Sequence, residues 1–155
     1  MLRSLVLLLL TATAAIGQDA PVLAEYRTDS GSLPPEYAWE TSVTILEDRQ
    51  LTLKHCKGYE TDGPACKTRR ATVSKDTLAA ILAAARDSDL AAKPALPTEY
   101  PMVGGGLTSG VVYLDGEKIT LLSQPAEADV PRVGKVLAAV AAAIPPRFDR
   151  FTDPD

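Results

Sequence analysis

The sequence predicts an α+β fold, a two-layer sandwich in which a largely antiparallel sheet carries two helices on one face. Three observations lead there. Trp39, Thr41, Val43 and Ile45 alternate with Glu40, Ser42 and Thr44, the period of two of a strand with one buried face. Asp115-Gly116 stands between the apolar runs Val111–Leu114 and Glu117–Leu122, the dipeptide of a type I′ hairpin turn. Leu78, Ile81, Leu82 and Ala85 recur at helical spacing, as do Val133, Val136, Leu137, Val140 and Ile144. Both helices are apolar on one side only, so together they can cover one face of a sheet. These patterns leave the strand order open.

In chain order, residues 1–17 read as a cleavable export signal. Arg3 gives a short positive region, Leu5–Leu10 is unbroken apolar chain, and Ala15 and Gly17 are the small residues before a cut at Gln18. The apolar run is too short for a membrane span, which needs about 20 residues. Residues 18–146 then form a single domain and 147–155 a polar tail. Within the domain, Val22–Tyr26 is expected as an edge strand leading into the turn-rich stretch 29–35. The strand 39–45 and Leu51–Lys54 make a hairpin around Glu47–Gln50, and Lys67–Ser74 is a third segment with Ala71 and Val73 inward. Ser74 caps the first helix, with Asp76 in its first turn. The helix fades near Asp87, and Leu90–Gly110, with Pro94, Pro97, Pro101 and three consecutive glycines, is a long connection. In the hairpin, Leu114 pairs with Glu117, Val112 with Ile119 and Tyr113 with Lys118. Asp129 caps the second helix, Pro131 lies in its first turn, and Pro145-Pro146 ends it.

Composition narrows the function. The formal charge of −4 becomes more negative once Arg3 leaves, which argues against general nucleic-acid binding. Cys56 and Cys66, in an exported chain, read as one disulfide across a turn, and the compartment as periplasm or exterior. No cofactor or metal is expected, since His55 and two cysteines are too few zinc ligands and lack redox spacing. The single histidine has no nucleophile near it in the pattern, so no enzyme is expected. The glycines at 104–106 lead into a strand and lack the lysine of a phosphate loop.

Two features point to binding. Leu96, Tyr100, Met102 and Val103 lie on the proline-stiffened connection, either to enter a partner's groove or to fold back on the sheet edge. Lys54, Lys57, Arg69 and Arg70 flank the cysteines, either as a patch for an anionic partner or as charges that deter edge pairing.

Tyr26-Arg27 with Ser30-Gly31, the strand Ser42–Ile45, the helix from Ser74, the hairpin around Asp115-Gly116 and the closing helix resemble an uncharacterised family of small exported bacterial domains. More distantly they are similar to emfourin-type inhibitors of thermolysin-like metalloproteases, whose arginine-serine-glycine-glycine opening reads Arg27-Thr28-Asp29-Ser30-Gly31 here. Pro101-Met102-Val103 is also similar to the reactive loop of the bacterial subtilisin-inhibitor family, with Tyr100 where that family has a cysteine. The expected function is that of a non-catalytic exported domain binding an extracytoplasmic protein through Leu96–Gly106, a protease among the candidates. The alternative is an envelope protein using the basic patch.

Overall fold

The computed structural model describes residues 20–148. The export signal expected over 1–17 and the tail from 149 onward lie outside these residues. The chain runs β1 (Val22–Asp29), β2 (Trp39–Leu46), β3 (Gln50–Lys57), β4 (Cys66–Thr72), α1 (Lys75–Asp87), β5 (Leu107–Leu114), β6 (Glu117–Leu121) and α2 (Val130–Ala141). All pairings are antiparallel, in the order β4-β3-β2-β1-β5-β6. This is the α+β architecture expected from the sequence.

Alternation sorts the sheet into two faces. Ala24, Val43, Ile45, Leu51, Leu53, Val112, Ile119 and Leu121 are buried on one face, against Leu78, Ile81 and Ala85 of α1 and Val133, Val136 and Val140 of α2. Each fully buried Leu, Ile or Val contributes roughly 1.5–3 kcal/mol of apolar transfer. The opposite face carries Glu25, Arg27, Ser42, Thr44, Ser109 and Thr120, with Arg27 paired to Glu40 at 2.7 Å. No described helix covers it, which is the ordinary arrangement of a half-wet antiparallel sheet.

The local expectations hold at most elements. The Ser74 hydroxyl accepts the Thr77 N–H at 3.0 Å and caps α1. Asp115 and Gly116 take φ of 52° and 85°, and β5 and β6 pair in the register read from the turn. Four boundaries differ. β1 is central, because β2 and β5 pair on its two sides. Its polar residues face the open side, which makes it look like an edge strand. The last residues of the expected connection, Leu107–Gly110, belong to β5. Gly110 is required there, since a Cβ would lie 2.5 Å from the Glu25 carbonyl oxygen of the neighbouring strand. Asp129 precedes α2 but makes no capping bond. The ordered domain passes 146, because Phe148 is buried in the core and the Arg147 guanidinium lies 5.3 Å from its ring centre.

Candidate functional site

Strand register gathers the longer connections at one end of the sheet. There Asp29 pairs with Glu40 and Leu107, Trp39 with Lys57, and Cys56 with Cys66. The connections 30–38, 58–65 and 96–106 therefore emerge side by side. The Cys56–Cys66 disulfide, with an S–S distance of 2.02 Å, closes the neck of the second. Directly opposed strand positions bring the two Cα atoms to 4.0 Å, so the pairing itself places the sulfurs in reach.

The connection carrying the candidate binding residues is held at three levels. At its base, the Asp129 carboxylate accepts the Leu96 N–H at 3.0 Å and pairs with Arg132 at 2.6 Å. Arg132 also donates to the Ser88 and Lys93 carbonyls, at 2.8 and 2.7 Å. Asp129 thus orders this loop instead of capping α2, and these donors hold its carboxyl below the usual carboxylate range, the Leu96 N–H first. Above the base, Ala126 N–H donates to Leu96 and Thr98 N–H to Gln124, at 2.7 and 3.0 Å. Higher still, the Gln124 side chain takes both main-chain groups of Met102. The Met102 N–H donates to its Oε1 at 2.6 Å, and its Nε2 donates to the Met102 carbonyl at 2.9 Å. The chain returns through Gly104 and Gly105, both at positive φ.

Leu96, Tyr100, Met102 and Val103 all turn to solvent, Val103 at 98 % and Tyr100 at 84 % exposure. They do not fold back on the sheet edge. The basic residues behave otherwise. Lys54 pairs across from Thr68 on the open face, which also carries Arg70, while Arg69 pairs with Leu53 and Lys57 with Trp39 on the helix-bearing side. The expected single patch is divided between two faces, because alternate strand residues point oppositely.

His55 is buried on the helix-bearing face. Its Nδ1 lies 2.8 Å from the Thr41 hydroxyl and its ring stacks on Trp39 with centroids 6.1 Å apart. Burial, reinforced by Lys57 and Lys67, pushes its pKa down from the ordinary value, so at neutral pH it is an uncharged ring. Above it, Leu33, Glu36, Tyr37, Trp39 and Lys57 line a pocket of about 440 Å³ under the β1–β2 connection.

Sequence reasoning singles out the loop but not its neighbours. Tyr37 and Tyr59, both exposed, are brought to the same end of the sheet only through strand pairing. Gln124 carries no local signal, since Met102 lies 22 residues away, and although Arg132 meets Asp129 three residues before it, its bonds to Ser88 and Lys93 span 44 and 39 residues. No protein-family model matches the chain, and no curated protein matches it. Among the described residues, no helix is long and apolar enough to cross a membrane.

Proposed function

We propose that this chain is an exported, non-catalytic domain that binds another extracytoplasmic protein through the loop 96–106, with a secreted protease as the first partner class to test. The observation that carries the reading is a loop fixed by Asp129, Arg132 and Gln124 that nonetheless turns Tyr100, Met102 and Val103 outward. Holding apolar side chains in water has no folding benefit. A loop already ordered before the encounter, however, spends little further entropy on binding. The apolar segment at 5–10 and the disulfide both fit passage to an oxidising compartment.

The Gln124 clamp sets the manner of contact. A cleft that reads a loop as an added strand pairs with its main chain. At Met102 both main-chain groups already bond to Gln124, so recognition there runs through side chains. The test is a panel of secreted metallo- and serine proteases, assayed for inhibition and for complex formation. We expect one member to respond, and the response to vanish in the M102S/V103S double variant while the melting temperature is kept. Absence of any complex, or a complex indifferent to that variant, overturns the reading.

A further inference from the structure

We infer that the partner's docking face is basic, with arginine or lysine side chains set around apolar ones, and that three glutamate–tyrosine pairs on three adjacent connections receive it. This rests on the proposed binding function and extends it beyond a single loop. The pairs are Glu36-Tyr37 between β1 and β2, Tyr59-Glu60 between β3 and β4, and Glu99-Tyr100 between α1 and β5. Each tyrosine is well exposed, at 66, 62 and 84 %. Each glutamate is exposed too, and none of the three forms an ion pair among the described residues. On the same connection as Glu60, Asp62 is paired with Lys54 at 3.5 Å, so of these neighbouring carboxylates it is Glu60 that remains for a partner.

The three connections touch one another. The Tyr59 hydroxyl donates to the Leu33 carbonyl, and the Gly58 N–H donates to the Ala38 carbonyl at 2.7 Å. Gly31 lies so close to the 104–106 return that a Cβ on it would stand 1.9 Å from the Gly105 oxygen. The connections that carry the pairs therefore meet at one end of the sheet.

Their chemistry selects the partner. Tyrosine offers a large contact area with few torsions to freeze, and its ring face attracts a cation. A carboxylate on the adjoining residue can take the same guanidinium or ammonium as an ion pair. An acidic docking face would meet like charge from all three connections. Lys57 borders Glu36 and Tyr37 in the pocket beneath them, and Arg27 borders Tyr59 and Glu60 but is already paired with Glu40 at 2.7 Å.

The test is selection of a random peptide library, displayed on phage, on the purified protein. Enriched peptides should place arginine or lysine beside aliphatic or aromatic residues. Their binding should weaken about tenfold or more in the E36Q/E60Q/E99Q variant, and also on raising the salt. The isosteric amides leave the fold unchanged, which an unaltered melting temperature checks, and Y37S/Y100S should abolish binding by a separate route. Acidic or uncharged peptides that need Met102 and Val103 but ignore the three glutamates overturn the basic partner and keep the binding function. Peptides that ignore M102S/V103S as well, or no enrichment at all, overturn both. Preference for vesicles of anionic phosphatidylglycerol over every peptide assigns the surface to a membrane and also overturns the inference.

Discussion

At one end of the sheet the chain reverses within Glu47–Arg49 between β2 and β3, and within Asp115-Gly116 between β5 and β6; at the other it takes residues 30–38 and 58–65 to make the same kind of reversal. The turns of the tight end are shaped by neighbours in sequence, with the Glu47 N–H to Pro21, the Val73 N–H to Arg49 and Arg86 to Asp115 added from farther away. Arg49 N–H donates to Leu46, Asp48 accepts from Gln50, and the backbone angles of Asp115 and Gly116 do the rest. The long end is closed by groups distant in sequence: a disulfide, Tyr59 on Leu33 and Gln124 on Met102. Short turns leave no side chains to spare. Long connections with remote supports can hold apolar and acidic groups in water, which is why the candidate binding surface lies at that end and not at the other.

Removing the disulfide should separate the two ends most. The ring closed by residues 56–66 is worth roughly 2–3 kcal/mol by loop entropy, so C56S/C66S should lower the denaturant midpoint accordingly. Amide exchange should quicken over 58–65 while the hairpin at 115–116 keeps its protection. Equal loosening at both ends would show that the supports act on the whole sheet and that the two ends do not differ in how they are held.

A pair of glycine substitutions comes next in size. G31A places a methyl against the Gly105 carbonyl at a φ of 70°, and should cost about 2 kcal/mol or more. G116A meets nothing within 4 Å and suffers only its φ of 85°, so about 1 kcal/mol is expected. Trp39, the single tryptophan, sits at the long end and should change its emission in G31A but not in G116A. A smaller effect is expected of Q124A, about 1 kcal/mol for its net hydrogen bonding, with exchange of the Met102 amide as the local readout.

The same contrast explains what could be read from the sequence. Ser74, Asp115-Gly116 and the two helical stripes are local devices, and each element they mark is present. Central placement of β1 was not legible, because it depends on β5, whose residues follow about 80 positions later. Asp129 shows the same difficulty at the site. Its position before a helix reads as a cap, yet the carboxylate goes to Leu96, a partner that only the packing of the connection supplies. Exposure of Tyr100, Met102 and Val103 was equally out of reach, since a loop residue's side chain is placed by supports such as Gln124 that leave no mark in the loop's own sequence.

The smallest effect concerns His55, which lies at the long end beside Trp39. Its pKa is lowered in the fold, by burial first and by Lys57 and Lys67 after that. The unfolded chain therefore binds a proton that the folded chain refuses, over the interval just below the ordinary value of 6.5. In that interval stability falls as pH falls. Asp62 and Asp129 are also lowered, from 3.8, so their contribution is lost only in more acid solution, as pH drops below that value. Two separate slopes should thus appear in a plot of denaturant midpoint against pH, followed by Trp39 fluorescence. H55Q, which retains a polar side chain opposite Thr41, should flatten the first slope and leave the second. A first slope that survives H55Q would assign the near-neutral titration to another group, and with it the claim that the long end carries the acid-sensitive part of the fold.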